Sequence, residues 1–287
     1  MSSSDPLDAT QRWRFDLAYD GRGFSGFAYQ PDRDTVVGLL RSTLASTLHL
    51  SEEPVIVGAG RTDSGVHAFF QVVHVDLPVV LKVRSASADR LVSALNKQLR
   101  GRIQILNAEP VSERFHARFS ATWREYRYLV LESSAPGLGS TNVWAWSVPG
   151  PLDLVAMNRA SRALLGTHDF RAFCRRPTNG PPGEPLLRRV LAARWERLDD
   201  QWLMSPQHSP ALRLTIRGQS FCHNMVRCLV STMVAIGRGE LHEGEIAARL
   251  VSGDRYQLPP PAPAAGLALI GVGYDQTDQE SVNPSVG

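Results

Sequence analysis

Residues 60–67 read Gly-Arg-Thr-Asp-Ser-Gly-Val-His and stand between two stretches of sequence that are typical of β-strands. The first stretch is the apolar run Val55–Val57, and the second is Gln71–Asp76. Glycines on both sides of Asp63 allow positive φ angles and a close approach of a ligand to the backbone. A carboxylate beside an arginine, on a turn fixed by flanking strands, indicates a binding or catalytic loop.

The chain around this loop predicts a ferredoxin-like half. Alternating apolar residues predict strands, and apolar residues at spacings of three and four predict helices. Strands are predicted near 13–19, 54–59, 70–77 and 103–106, and helices near 37–48 and 88–99. The order βαββαβ is the ferredoxin-like pattern.

The second half of the chain has a similar predicted pattern. A strand at 124–131 precedes a helix over Asp153–Leu165, which Gly166 is expected to close as a C-cap. Strands follow near 188–197, 211–219 and 267–274, and helices near 243–252 and over a stretch carrying Phe221, Met225, Leu229 and Met233. We therefore predict an α+β fold of two ferredoxin-like halves, with a joined antiparallel or mixed sheet and a central active-site cleft.

The predicted domain organisation has four parts. Residues 1–11 and 276–287 are polar and are expected to be mobile tails. The N-terminal half, 12–115, carries the aspartate loop, and the C-terminal half is 116–275. Proline-rich stretches at 177–185 and 259–263 are predicted loops.

Composition excludes several classes of protein. The 287 residues are 43% hydrophobic and 21% charged, which is ordinary for a globular chain. No apolar run reaches the roughly 18 residues of a membrane span, and residues 1–6 lack the features of a signal peptide. Three cysteines do not make a disulfide framework at this length. We expect a cytoplasmic protein.

A basic stretch with interleaved aromatic residues points to nucleic acid, although the net charge is only +3. This stretch, 114–127, suits phosphate contact combined with base stacking. A strand with a solvated charged face is the alternative interpretation. Metal binding is disfavoured, because the cysteines and histidines lack CxxC or HxxxH spacing. Cys222 and Cys228 are therefore interpreted as packing residues on an apolar helix.

Five blocks of sequence, in order, carry a resemblance to a known family. With 60–67, they are Phe-His-Ala-Arg-Phe-Ser-Ala-Thr at 115–122 followed by Tyr-Arg-Tyr at 126–128, Leu-Gly-Thr-His-Asp-Phe-x-x-Phe at 165–173, Phe-x-His-x-Met-Val-Arg at 221–227, and the ending 264–274. The pattern resembles the tRNA pseudouridine synthases of the TruA type, which isomerise uridines in the anticodon arm. It spans roughly residues 12 to 275.

The resemblance implies an isomerase that needs no cofactor and no metal. It assigns Asp63 as the catalytic carboxylate and Tyr126 as the tyrosine that stacks on the uracil and helps to remove the C5 proton. It also implies that Arg227 pairs with Asp63 and lowers the pKa of that carboxylate. From the residues alone, Asp63 could be a local hydrogen-bonding residue, Tyr126 an ordinary strand aromatic, and Arg227 an arginine at the solvent edge of a helix.

Further residues are expected to contact the RNA, and Arg61 is expected to displace the target base and occupy its place. The candidates for substrate or RNA binding are Arg61, Thr62, His67, Phe115, His116, Arg118, Arg124 and His223. The resemblance also implies a homodimer that contacts RNA with both subunits.

The sequence departs from the family pattern at 26–30, at 96–100 and at Ser64. These departures leave the reaction type intact and put the substrate in question. A specialised paralogue that acts on another RNA, or that supplies pseudouridine for C-nucleoside biosynthesis, is one alternative. A non-catalytic RNA-binding protein and a metal-dependent hydrolase are the others.

Overall fold

The computed structural model describes residues 9–79, 85–133, 144–175, 184–198 and 211–275. The chain divides into two compact units. Residues up to Thr122, together with those from Leu269 onward, form the first unit, and Trp123–Ala268 forms the second. The sequence-based division after residue 115 differs from this one, chiefly because most of the last strand groups with the first unit. Nearly all of the two predicted tails lies outside the described residues.

The first unit has the predicted βαββαβ order. Its elements are β1 (Thr10–Tyr19), α1 (Val36–Leu48), β2 (Ile56–Gly58), β3 (His67–Pro78), α2 (Ser85–Leu99) and β4 (Ile103–Pro110). The last strand, β10 (Leu267–Tyr274), adds to them. The strand order is β4-β1-β3-β10, with β2 on β3, and β1 runs antiparallel to both β3 and β4.

The first unit has an apolar core to which its sheet and its first helix both contribute. Phe15 and Leu17 on β1 are fully buried, and Leu40 and Leu44 on α1 are buried with them. Each fully buried side chain of this size contributes roughly 1.5–3 kcal/mol to the free energy of folding. Thr35 begins α1, because its hydroxyl accepts a hydrogen bond from the amide of Gly38. The aspartate loop is thus attached to a well-packed scaffold.

The second unit is also α+β. Its elements are β5 (Ala121–Ser133), β6 (Trp146–Pro149), α3 (Leu154–Arg162), β7 (Gly166–Asp169), β8 (Leu187–Leu198), β9 (Ala211–Gly218), α4 (Met225–Gly237) and α5 (Glu245–Ser252). The strand order is β5-β9-β8-β7, with antiparallel neighbours, and β6 pairs in parallel with β5. Helix α4 is buried almost throughout and packs against α3.

The predicted end of helix α3 is wrong. Asp153 caps its start, because the carboxylate accepts hydrogen bonds from the amides of Val155 and Ala156. The helix ends at Arg162. After it, the amides of residues 163, 164 and 165 each donate to the carbonyl three residues earlier, which is the tighter 3₁₀ pattern. Gly166 has a φ of +102° and begins β7 instead of closing the helix. A glycine with positive φ can either close a helix or begin the segment that follows it, so the sequence alone does not distinguish the two.

Two other elements differ from the prediction. The sequence predicts that Phe221 lies on the same helix as Met225. In the structure α4 begins at Met225, because Asn224 adopts a left-handed φ of 64°. The sequence does not predict strand β6, because its four residues are too few for a recognisable pattern and end in a proline. The α+β class and the ferredoxin-like order of the first half are confirmed, whereas the joining of the two sheets and the cleft stay predictions. No helix in the described part of the chain is long and apolar enough to span a membrane.

Candidate active site

The aspartate loop, residues 60–66, connects β2 to β3 and is held by the segment that follows β1. The amide of Phe27 donates a hydrogen bond to the carbonyl of Thr62, at 3.0 Å. A Cβ on Gly21 would lie 2.1 Å from the carbonyl oxygen of Val66, so only glycine fits there. The backbone of residues 20–27, called the clamp segment below, therefore fixes the loop directly.

Side chains add to this attachment. The hydroxyl of Thr62 lies 2.8 Å from that of Tyr19, and both residues are buried. Burial raises the pKa of Tyr19 to about 12, so the phenol keeps its proton. The hydroxyl of Ser64 donates to the carbonyl of Phe24 at 3.0 Å, and the side-chain Nε2 of Gln71 donates to the carbonyl of Gly60 at 3.0 Å.

Asp63 occupies the apex of this turn and is half-buried. Its carbonyl accepts a hydrogen bond from the amide of Val66 at 3.1 Å, which closes the turn, and Gly65 adopts a φ of +78° inside it. Arg61 is exposed. The loop thus holds a carboxylate in a fixed backbone conformation beside an arginine that is accessible to a ligand, an arrangement suited to nucleophilic or electrostatic catalysis.

His67 follows the loop as the first residue of β3 and is buried. Its Nδ1 lies 3.1 Å from the amide nitrogen of Gly21 and 3.1 Å from Oδ1 of Asp20. Thr62 and His67 were both predicted to contact RNA. Their burial and their contacts with β1 and the clamp segment favour a positioning role for both.

The second family block contains a segment, residues 115–120, that is organised around two histidines. Nδ1 of His74 on β3 accepts a hydrogen bond from the amide of Ala117 at 3.1 Å. Nδ1 of His116 accepts from the amides of Arg118 and Phe119, each at 3.2 Å. Burial lowers the pKa of His74 to about 4 and also lowers that of His116. Both imidazoles are therefore neutral near pH 7 and act as acceptors.

An aromatic and cationic layer supports the same segment from β1 and β10. Phe115 is fully buried, and its ring packs on that of Tyr274, with centroids 5.0 Å apart. The hydroxyl of Tyr274 donates to the carbonyl of Ala117 at 2.7 Å. The guanidinium of Arg14 lies 5.3 Å from the centroid of the Tyr274 ring. Phe115 thus belongs to the core, although it was predicted to contact RNA.

Only the tip of the 115–120 segment faces solvent. Phe119 is 76% exposed, and Arg118 is also exposed. The guanidinium of Arg118 lies 5.4 Å from the centroid of the Phe119 ring, and the ring of His116 packs against that of Phe119, with centroids 4.4 Å apart. A cation beside an exposed aromatic ring can contact a phosphate and stack on a base. Phe119 lies in the basic and aromatic stretch 114–127, which the sequence predicts to suit base stacking, although it is not one of the individual candidates for RNA binding.

In the second unit, the structure distinguishes two tyrosines that share one face of β5. Tyr128 is fully buried, and its hydroxyl donates to the carbonyl of Pro263 at 2.8 Å. Burial raises the pKa of Tyr128 well above its ordinary value. Tyr126 is 7% exposed and packs edge-on against Phe221, with ring centroids 5.3 Å apart. Tyr128 therefore has a structural role, and Tyr126 is the better candidate for a catalytic tyrosine.

Arg227 lies in the first turn of α4 and is half-buried. Its Nε donates to the carbonyl of Ala262 at 2.7 Å, and its Nη1 donates to Oδ1 of Asn224 at 3.2 Å. These contacts hold the guanidinium in one orientation, which a freely solvated arginine at a helix edge would not need. Arg227 and Asp63 belong to different units, and their pairing stays a prediction.

The two other predicted RNA contacts in this unit differ in exposure. His223 is exposed just before α4, and its carbonyl accepts a hydrogen bond from the amide of Arg175 at 2.9 Å. Arg124 is only 6% exposed, and its Nη1 donates to the carbonyl of Gln219 at 2.6 Å. The contacts of Arg124 favour a role in holding β5 to the chain after β9, whereas His223 is accessible to a ligand.

The cysteines differ from the prediction. The sulfurs of Cys174 and Cys222 are joined, with Cα atoms 5.8 Å apart, whereas Cys228 is free and buried. Cys222 is therefore not simply a packing residue. The pairing depends on a tertiary approach between residues separated by 48 positions, which spacing alone does not reveal. Within the described ranges, no group of three or more His, Cys, Asp or Glu residues is placed to hold a metal ion.

Comparison with known proteins agrees with the ordered blocks. The family described as tRNA pseudouridine synthase matches residues 17–120 and 160–275. A tRNA pseudouridine synthase A of Cutibacterium acnes is 37% identical over 263 residues, covering 92% of this chain and 88% of that protein. The Bacillus pumilus protein of the same name is 38% identical over 260 residues, covering 90% of this chain and 97% of its own.

The fold and the aspartate loop are thus those of an RNA-modifying isomerase. The chain belongs to the tRNA pseudouridine synthase family. The resemblance seen in the sequence blocks is confirmed by this match.

Proposed function

We propose that this protein isomerises uridine to pseudouridine in the anticodon stem-loop of tRNA, at positions 38–40. The observation that carries the proposal is the aspartate loop. Asp63 stands on a turn fixed by the clamp segment, within a chain that belongs to the tRNA pseudouridine synthase family. Relatives from Cutibacterium acnes and Bacillus pumilus bear the name tRNA pseudouridine synthase A.

The chemistry requires a carboxylate and no redox partner. The N1–C1′ bond of the uridine breaks, the uracil turns, C5 bonds to C1′, and the C5 proton is lost to solvent while N1 gains one. Asp63 attacks C1′ or uracil C6, or it assists a glycal route, and these three routes stay open. In each of them the carboxylate must be ionised and correctly placed, which a turn with little backbone freedom favours.

Three other side chains complete the proposed site. Arg61, which is exposed, enters the space that the target base leaves when it is extracted from its stack. Tyr126 stacks on the uracil and helps to remove the C5 proton. Arg227 pairs with Asp63 and keeps that carboxylate charged. The fixed orientation of the Arg227 guanidinium supports this role.

The departure from the family pattern at Phe27 does not favour a different substrate. Phe27 is only 3% exposed, and its ring occupies the space that a Cβ of Gly58 would need. The departure at Phe27 therefore lies in the internal packing of the first unit. Within 96–100, Asn96 keeps the family residue and bonds both backbone groups of Ile105, at 3.0 and 2.7 Å, whereas the departing residue, Arg100, is exposed. We also propose that the protein is a cytoplasmic homodimer, and a monomeric mass in solution would contradict the dimer.

Tritium release from tRNA labelled with [5-³H]uridine tests the reaction, because C–C bond formation at C5 expels that hydrogen. We expect release by the wild type and a loss of about 10³-fold or more in Asp63→Ala, with RNA binding retained. Asp89→Ala, on the exposed face of α2, is the matched control and should behave like the wild type. Release by Asp63→Ala at the wild-type rate would contradict the assignment.

Arg227→Ala should lower the rate of tritium release by about 10²-fold or more, because a pairing partner of the carboxylate is lost. Arg227→Lys retains the positive charge but lacks the several N–H donors of the planar guanidinium, and it should recover only part of the activity. The measurement is the single-turnover rate at saturating enzyme. Near-normal turnover by Arg227→Ala would show that this arginine does not act on Asp63.

A further inference from the structure

A cavity of about 520 Å³ lies in the second unit beside the start of helix α4. Its lining includes Arg171, Cys174, Arg175, Asn224, Asp254 and Arg255. Three of these six side chains are guanidinium groups, and one is a carboxylate.

The two carboxylates near the cavity are already engaged. Oδ2 of Asp169 lies 2.7 Å from Nε of Arg171, and Oδ2 of Asp254 lies 3.3 Å from Nη1 of Arg249. Among the described residues, no carboxylate lies within ion-pair distance of Arg175 or Arg255. The carboxylates of the described residues therefore do not balance the positive charge of Arg175 and Arg255, which favours an anionic ligand.

The guanidinium of Arg255 is held by a weak acceptor. Both of its terminal nitrogens lie 3.4 Å from Sγ of Cys228. A neutral sulfur is a poor hydrogen-bond acceptor compared with a phosphate oxygen. Arg255 is thus kept in place by the buried thiol, while its strongest hydrogen-bonding capacity is left for a ligand.

The backbone around Arg171 is shaped to fit that side chain. Gly253, with a φ of +68°, ends helix α5, and a Cβ at this position would lie 2.2 Å from Nε of Arg171. The amide of Arg171 donates to Oδ1 of Asp169 at 3.0 Å, which fixes its backbone as well. One wall of the cavity is therefore preorganised, and a ligand would not have to order it.

Asn224 connects the cavity to the proposed active site. It lines the cavity, and its Oδ1 accepts a hydrogen bond from Nη1 of Arg227 at 3.2 Å. Its side chain does not cap the amides of α4, so the positive end of the helix dipole is not neutralised by this residue. An anion in the cavity would therefore lie next to the residue that orients Arg227.

We propose that this cavity binds a backbone phosphodiester of the RNA substrate through Arg175 and Arg255, with Arg171 as a fixed wall. The inference rests on the proposed function and deepens it by adding a phosphate contact in the second unit. Guanidinium forks match the geometry of phosphate oxygens, and RNA affinity depends largely on such contacts. Such a phosphate contact would position the RNA without contributing to recognition of its base sequence.

The test compares Arg255→Gln and Arg175→Gln with the wild type in tritium release and in tRNA binding at several salt concentrations. We expect each variant to raise KM by about tenfold, equivalent to about 1.4 kcal/mol, with kcat changed less than about threefold. The slope of log Kd against log salt should fall by about 0.7–0.9 for one lost phosphate contact. Arg238→Gln, after the other end of α4, removes the same charge and should change neither quantity.

The outcomes separate this inference from the proposed function. If the wild type releases no tritium from any tRNA, the proposed function fails. If the wild type is active and Arg255→Gln and Arg175→Gln retain its KM and salt slope, only the phosphodiester site is wrong. Inorganic phosphate is a second probe. If it raises the Tm of the wild type but not of Arg255→Gln, while tRNA binding is the same for both, the cavity binds a small anion and the RNA assignment is overturned.

Discussion

The aspartate loop and the 115–120 segment both belong to the first unit, yet they are held by different chemistry. Backbone amides and hydroxyls hold the aspartate loop, and the phenol of Tyr19 among them has a pKa of about 12. Neutral imidazoles hold the 115–120 segment, through the Nδ1 atoms of His74 and His116. The catalytic loop should therefore tolerate acid better than the segment expected to contact RNA. The imidazole of His67 follows the aspartate loop, and it contacts the clamp segment at Gly21.

The largest expected effect comes from Gly21→Ala, which would break the attachment of the aspartate loop. The new Cβ would lie 2.1 Å from the carbonyl oxygen of Val66 and 2.9 Å from the carbonyl carbon of Gly65, so two backbone segments must separate. We expect a loss of about 3 kcal/mol or more in the free energy of unfolding and little tritium release. Urea unfolding measures the loss of stability, and the tritium assay measures the loss of activity.

Gly23→Ala is the matched control for that substitution. Gly23 has a φ of +80°, and a Cβ added there would meet no atom within 4 Å, so only backbone strain of about 1 kcal/mol is expected. Equal losses in the two variants would mean that the glycines act through chain flexibility and that close packing on the aspartate loop is not important.

An intermediate effect is expected when pH is lowered, and it should fall on the 115–120 segment. The pKa of His74 is about 4 in the folded protein and 6.5 ordinarily, so the unfolded chain binds more protons between these values. This contribution to stability is therefore lost as the pH falls from about 6.5 to about 4, by at most about 3 kcal/mol. Hydrogen exchange of residues 115–120 should accelerate over this range before that of residues 60–66.

His74→Asn provides the control for the pH experiment, because the amide oxygen can accept the Ala117 hydrogen bond without titrating. The pH dependence of unfolding should be shallower in His74→Asn than in the wild type between pH 6.5 and 4. Identical slopes in both proteins would contradict the role given to this histidine.

The smallest effect is expected from the pair of hydroxyls behind the aspartate loop. Thr62→Val and Tyr19→Phe should each cost about 1 kcal/mol in the free energy of unfolding. In a double-mutant cycle the coupling should be about 1 kcal/mol and should be the same at pH 5 and pH 8. If the coupling disappears at pH 5, the aspartate loop is also sensitive to acid, and the expected difference in acid tolerance between it and the 115–120 segment is wrong.

The sequence predicted the parts of the fold that depend on local patterns. Apolar periodicity located all strands of the first unit and its two helices within a few residues. The motif at 60–67 located the aspartate loop, because its glycines and its charged residues are adjacent in the chain. The errors at Gly166 and Phe221 arose where one residue type serves two local conformations.

The residues that hold the site could not be predicted in the same way. Tyr19, His74 and Tyr274 are ordinary strand residues in the sequence, and their roles arise from the pairing of β1, β3 and β10 around distant loops. Burial likewise separates Arg118 from Arg124, which look alike within one basic stretch. Such distinctions depend on tertiary contacts that carry no local signal.

The most direct test of the proposed function is to map pseudouridine at nucleotide resolution in unmodified tRNA after incubation with this protein. The wild type should introduce pseudouridine at positions 38–40 of the anticodon stem-loop, and Asp63→Asn should introduce none while still binding the tRNA. Pseudouridine confined to other positions would contradict the substrate, and modification by Asp63→Asn would contradict the catalytic role of this aspartate.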